Sequence, residues 1–317
     1  MTDTQNEVFK TPVNKIRLFE HGAPGSQNFK LTRKYYTEDM PDGRVKHIVQ
    51  NITDPDIVPY IPDGIGNSTD RQRIPAVLII PGGAFRRLVY NFEGEDVAKW
   101  LNSMGIAAFV LECRLPSDEH DNAEDVPLID AMRAMRVIRG MAQEFGIDEA
   151  KIGVMGFSAG GFMAALLSTA YESDVYADYK YKDEYDKLSA RPDFAVCSYP
   201  VISIDDCIEA GKRYMSEEQV LERISDSKAK ILHKYNPDKL VRPDMPPVFI
   251  CETDDDRTTL SENSVGFYMA ARKAGVSAEL HIFRTGGHGY GCGDDFAQTG
   301  EWKVLFTKWI KSIGIIS

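Results

Sequence analysis

The run Ala76-Val77-Leu78-Ile79-Ile80 is apolar at every position, where a strand with one wet face would alternate. A strand that hides both faces belongs inside a parallel sheet, and parallel neighbours require crossover connections, usually helices. The chain supplies them. Glu93–Met104 carries Val97, Trp100, Leu101 and Met104 at helical spacing, and Ile106–Leu111 is a second continuous apolar strand. The pattern predicts a helix over Asp125–Phe145 stopped by Gly146, a strand over Ile152–Met155 and a helix over Ala159–Ala170. Phe194–Tyr199, Val248–Cys251 and Ala278–Phe283 read as further strands, with helices over Ser261–Ala274 and Gln298–Ser312. The expected class is α/β, a mostly parallel central sheet with helices on both faces.

Residues 1–70 depart from this alternation. Leu31–Tyr36 and Val45–Gln50 are expected as an antiparallel pair at a sheet edge, and Pro55–Asp70 as a loop of turn formers. Two later stretches interrupt the pattern: Tyr171–Pro192, dense in Tyr, Lys, Asp and Glu, and Asp205–Pro247, long and charged. Insertions at the C-terminal ends of parallel strands commonly shape a substrate site, and both are expected to do so here. No internal repeat or low-complexity linker divides the chain. Its 317 residues, 43% hydrophobic, can bury one sizeable core, so a single domain over 1–317 is expected.

Charge and cysteine usage narrow the partners. A formal net charge of −11, with no Lys/Arg cluster that outweighs its acidic neighbours, argues against a nucleic-acid partner. Met1–Lys10 is polar rather than signal-peptide-like, and no apolar run approaches a membrane span, so no membrane partner is expected. The five cysteines are scattered without a Cys-x-x-Cys pair, which reads as free thiols in the cytoplasm. His281 and His288 lack His-x-x-x-His spacing and no Cys/His cluster accompanies them, so no metal is expected.

The chemistry concentrates in Gly156-Phe157-Ser158-Ala159-Gly160-Gly161, placed where a strand ends and a helix begins. That is the setting of a Gly-x-Ser-x-Gly nucleophile elbow. The turn strains the serine backbone and lifts its hydroxyl clear of the sheet, and side chains two residues either way would collide there. Other glycine-rich readings fail: Phe162 and Met163 stand where a P-loop needs Lys and Ser/Thr, and Gly-x-Gly-x-x-Gly is absent. Pro81-Gly82-Gly83-Ala84-Phe85 follows the first parallel strand, where the N–H of Gly83 or Ala84 can join that of Ala159 as an oxyanion hole. His288 lies in Thr285-Gly286-Gly287-His288-Gly289-Tyr290, a glycine loop after the last central strand, and suits a general base. The acid belongs between Ser158 and His288. Thr253-Asp254-Asp255-Asp256-Arg257 follows a strand there, and pattern alone does not choose among its carboxylates.

Together these motifs resemble α/β-hydrolase esterases of the acetyl esterase and acetylxylan esterase type, relatives of the prolyl oligopeptidase-like hydrolases. The similarity runs from about Leu18 to the C-terminus. It includes Phe19-Glu20-His21-Gly22-Ala23-Pro24-Gly25, Pro81-Gly82-Gly83, Glu93-Gly94-Glu95, Gly105-Ile106-Ala107-Ala108, the elbow, Glu262-Asn263-Ser264 and Gly286-Gly287-His288-Gly289. In such esterases the acid loop reads Thr-Ala-Asp-Asp-x-Val-Val-Pro, with the first Asp in the triad. An ungapped match places that role on Asp255. The chain departs at Ala84, where a third glycine is usual, at Phe85, where Tyr is usual, and at Thr258-Thr259-Leu260 in place of Val-Val-Pro.

The resemblance implies an α/β-hydrolase fold and a cofactor-free esterase with catalytic Ser158, Asp255 and His288 and an oxyanion hole of Gly83, Ala84 and Ala159. The expected substrate is a small acyl ester, such as an acetylated sugar or xylo-oligosaccharide; a homo-oligomer is compatible with the sequence. A peptidase or arylesterase of the same fold is the nearest rival. The ordered Ser…Asp…His set argues against a silent binding module.

Overall fold

The computed structural model describes Phe9 and residues 14–29, 31–64, 73–118, 120–216, 218–220, 227–293 and 298–317. Its main sheet has eight strands in the order β1 (Ile16–Arg17), β4 (Asp56–Tyr60), β7 (Ala107–Glu112), β5 (Ile74–Ile80), β8 (Ile147–Phe157), β9 (Ala195–Ser198), β10 (Val248–Thr253) and β11 (Ala278–Phe283). From β7 to β11 every pairing is parallel, and only β1 and β4 run antiparallel to their neighbours. Successive strand residues point to opposite faces, and Ala76 to Ile80 and Ala107 to Leu111 are all buried, so the sheet is covered on both sides. The α/β expectation is met.

The covering helices are α1 (Asp96–Ser103), α2 (Val126–Gly140), α3 (Ala159–Ala170), α4 (Ile204–Tyr214), α5 (Ser227–Lys234), α6 (Ser261–Lys273) and α7 (Trp302–Ser312). Trp100 of α1 meets Trp302 and Phe306 of α7 edge-on, at centroid separations of 4.9 and 5.4 Å. Helix α3 packs on β8, β9 and α2. No helix among the described residues is long and apolar enough to cross a membrane.

The structure corrects the N-terminal expectations. The first hairpin strand, β2, runs over Lys34–Asp39 rather than Leu31–Tyr36, because its register is set by β3 (Val45–Gln50), with Lys34 opposite Gln50 and Asp39 opposite Val45. This pair does not edge the main sheet; with β6 (Leu88–Val89) it forms a separate three-stranded one. Within the expected loop Pro55–Asp70, the buried Ile57 and Val58 draw Asp56–Tyr60 onto β7 as β4, while residues 65–70 lie outside the described ones. Pro59 is tolerated because β1 pairs only with Asp56 and Ile57.

The two insertions sit differently. In Tyr171–Pro192, Asp186 accepts from Arg133 at 3.0 Å, and Tyr185 packs where a Cβ on Gly140 would fall, so residues 176–188 run along the outside of α2. In Asp205–Pro247, α5 lies against Pro116–Asp118, and Lys234 donates to Asp125, just before α2, at 2.7 Å. Only the second is thereby held at the end of the sheet where β7 finishes.

Candidate active site

Four loops leave the C-terminal ends of β5, β8, β10 and β11 and converge, as ligand-binding loops of open α/β sheets do. The sharpest turn follows β8. Ser158 has φ 54° and ψ −118°, a left-handed conformation that L-residues avoid. Its N–H donates to Ser198 O at 3.0 Å, which ties the elbow to β9. The flanking glycines are sterically required: a Cβ on Gly156 would lie 1.9 Å from Gly160 O, and one on Gly160 would lie 1.9 Å from Ile80 O. The strain is held by packing on every side.

From this elbow Ser158 Oγ reaches His288 Nε2 at 2.8 Å. The ring's other nitrogen, Nδ1, lies 2.6 Å from Asp256 Oδ2. Ser158 and Asp256 are 8% and 2% exposed, so the relay runs in a largely dry environment where such bonds are strong. The expectation of Asp255 is corrected here. Asp255 is exposed, and its Oδ1 accepts instead from the Gly286 and Gly287 N–H groups at 3.0 and 2.8 Å. The physical reason is the turn after β10: Asp256 N donates back to Thr253 O, which swings Asp256 inward under the imidazole and leaves Asp255 facing the glycine loop.

Asp256 is built to stay ionised. Its Oδ1 accepts from the Thr258 and Thr259 N–H groups at 2.7 and 2.9 Å, and its Oδ2 from the Thr259 hydroxyl at 2.9 Å. Burial alone would push this carboxyl up, but the hydrogen bond and charge of His288 and the two N–H donors outweigh it and hold it below the usual range. Thr259 Oγ1 also lies 3.2 Å from His288 Nδ1. The departure from Val-Val-Pro is therefore part of the site. Behind it, burial and then the charge of Asp256 drive the Glu252 carboxyl well above its ordinary range.

Gly83 and Ala159 line one narrow cavity with Phe85, Leu88, Cys113, Leu115, Pro116 and Met163. Ala84 is exposed and has φ 57°, and Phe85 has φ 60°. The third glycine of similar esterases falls at a position where this backbone is left-handed, so Ala84 keeps the conformation without the residue that favours it. None of the N–H groups of Gly83, Ala84 and Ala159 donates to a partner among the described residues.

Sequence reasoning missed two residues that organise this site. Tyr199 has φ 37° and sets its ring 5.0 Å from that of His288. Glu93 is buried with its carboxyl on Gly82 N and the Tyr199 hydroxyl, both at 2.8 Å. A signal for Glu93 existed: it stands in the Glu93-Gly94-Glu95 match. Tyr199 had none, since a strand-end tyrosine reads as core.

A strained serine between a parallel strand and a helix, relayed through histidine to a buried aspartate, defines an α/β-hydrolase-fold protein. Residues 65–270, well over half of the chain, match the BD-FAE family model, and the chain belongs to that family. The structure of an acetyl ester-xyloside bifunctional hydrolase from Caldicellulosiruptor lactoaceticus is similar over 96% of this chain and 97% of its own, with TM-score 0.70 and 34% identity. An acetylxylan esterase of Xylanibacter ruminicola is 31% identical over 240 residues, 75% of this chain and 45% of that protein. Endo-1,4-β-xylanase B of Butyrivibrio fibrisolvens is 29% identical over 269 residues, 82% of this chain and 40% of its own. The chain thus spans less than half the length of these two curated relatives.

Proposed function

We propose that this protein is a serine carboxylic-ester hydrolase that removes small acyl groups, acetyl above all, from sugars or xylo-oligosaccharides. The observation that carries the reading is the unbroken relay from Ser158 Oγ through His288 to Asp256 Oδ2. Ser158 Oγ attacks the ester carbonyl while His288 Nε2 takes its proton. Asp256 fixes the ring with Nδ1–H toward itself and stabilises the imidazolium. The N–H groups of Ala159 and of Gly83 or Ala84 receive the oxyanion. His288 then protonates the departing alcohol, and a water activated by the same nitrogen releases the acid from the acyl-enzyme. The residues act without a cofactor.

Two observations support a short acyl group on a hydroxylated alcohol. The cavity beside Gly83 and Ala159 is small and lined in part by Phe85, Leu115 and Met163, so it offers a long chain little apolar room. Each methylene left in water forgoes about 0.8 kcal/mol of burial. The two relatives above named for acetyl-ester hydrolysis point the same way. Three cysteines, Cys113, Cys197 and Cys251, are buried thiols outside any disulfide, which suits a reducing cytoplasm and imported oligosaccharides.

The test is a kcat/KM series on p-nitrophenyl acetate, butyrate and octanoate, followed by acetate release from acetylated xylo-oligosaccharides. The expected order is acetate fastest and octanoate slowest, with acetate released from the oligosaccharide. A preference for octanoate overturns the small-acyl reading, and an oligosaccharide left acetylated removes the sugar.

A further inference from the structure

The oxyanion turn follows β5 and the histidine loop follows β11, with β8, β9 and β10 between them in the sheet, and something must hold the two in register. Glu93 stands between them. It lies in a single π-helical turn, Asn91–Glu95, immediately before α1, and such turns recur at functional sites. Its Oε2 accepts from Gly82 N at 2.8 Å, one residue before Gly83. Its Oε1 accepts from the Tyr199 hydroxyl at 2.8 Å, and that same hydroxyl accepts from Gly291 N at 3.0 Å, three residues past His288. The Tyr199 ring stands edge-on to both His288 and Tyr290, at centroid distances of 5.0 and 4.5 Å.

The arrangement is close-packed. A Cβ on Gly82 would fall 2.6 Å from Glu93 Oε2 and 2.9 Å from Ser158 Cβ, so the turn is wedged between the carboxylate and the nucleophile. Tyr199 is held in its left-handed conformation through its N–H, which donates to Cys251 O at 2.7 Å, and its carbonyl oxygen lies 3.3 Å from Thr259 Oγ1.

We propose that Glu93 is a positioning residue: through Gly82 it aims the oxyanion N–H groups, and through Tyr199 and Gly291 it fixes where His288 stands relative to them. It touches neither substrate nor Ser158 Oγ, and it acts only through these partners. The proposal rests on the serine-hydrolase reading above.

The full chain carrying Glu93→Gln, Glu93→Ala or Tyr199→Phe would be assayed on p-nitrophenyl acetate beside Ser158→Ala. Removing an oxyanion donor costs about 10²–10³ in kcat, and Glu93→Ala is expected inside that range with KM little changed. Glu93→Gln keeps one acceptor and loses the other, so a loss of roughly tenfold is expected. Affinity for a boronic acid that forms a tetrahedral adduct on Ser158 should fall in step with kcat, which a loss of stability alone would not produce. Glu93→Ala combined with Tyr199→Phe should be no slower than Glu93→Ala, since both cut one network. If Glu93→Ala fails to fold, Glu93→Gln and Tyr199→Phe carry the same comparison. Folded Glu93 variants with wild-type kcat and boronate affinity, beside an inactive Ser158→Ala, overturn the positioning role alone. Wild-type turnover by Ser158→Ala overturns the hydrolase reading beneath it.

Discussion

The nucleophile elbow and the acid loop sit in the same site and were reached by different physics. At the elbow, backbone sterics leave no choice: two glycines whose missing Cβ atoms would lie 1.9 Å from carbonyl oxygens force Ser158 into its conformation. In the acid loop, Asp254, Asp255 and Asp256 are the same side chain three times over. What separates the last two is which N–H groups surrounding loops offer: Thr258 and Thr259 to Asp256, Gly286 and Gly287 to Asp255. Where clashes decide, a local motif is sufficient. Where equivalent groups compete for partners, only the assembled neighbourhood chooses.

The comparison predicts a graded set of losses. The largest is at the elbow. Ser158→Ala is expected to lower kcat on p-nitrophenyl acetate by about 10⁶ while near-UV circular dichroism and melting temperature stay at wild-type values. Retention of even a tenth of the turnover would remove the elbow from the chemistry.

Next comes the acid. Asp256→Asn should lower kcat by roughly 10⁴, because the amide can favour the wrong histidine tautomer. Asp255→Asn keeps an oxygen for Gly286 and Gly287 and should stay within a few-fold of wild type. The reverse ranking would return the role to Asp255 and mean that the turn after β10 rearranges in solution.

A smaller effect is expected at Thr259. Thr259→Val removes the hydroxyl on Asp256 Oδ2 but keeps the backbone N–H on Oδ1, and one such bond is worth about 1 kcal/mol. A loss of about fivefold in kcat/KM should follow, and an unchanged value would show that the two backbone donors suffice.

The last prediction reads stability rather than rate. The Asp256 carboxyl is held below its unfolded range, so it contributes stability above the ordinary carboxylate pKa of about 4 and loses it as pH falls through the lower folded value. Urea midpoints measured from pH 7 down to 2.5 should therefore drop more steeply for wild type than for Asp256→Asn. Parallel curves would mean that the carboxylate gains nothing from its donors on folding.

The sequence by itself determined the parallel core, the elbow and the pairing of Ser158 with His288. The first two rest on local rules, since continuous apolar runs must be covered on both faces and a strained serine needs glycines two residues away, and the third on the Ser…Asp…His order of such hydrolases. Helix α3 and the strands β3 and β11 occupy the residue ranges that periodicity predicts. Tertiary structure decided the rest. Asp56–Tyr60 became a strand because β7 presented an open edge to pair with, which no turn-residue count reveals. The hairpin of β2 and β3 joined β6 instead of the main sheet, since the alternation that predicts a strand does not name its partner. Residues 176–188 went to α2 because Arg133 and Arg136 wait there, far along the chain from Asp186. Glu93, Tyr199 and Asp256 acquired their roles in the same way. Hydrogen bonds between groups distant in sequence choose among chemically equal candidates only after the chain has brought their partners together.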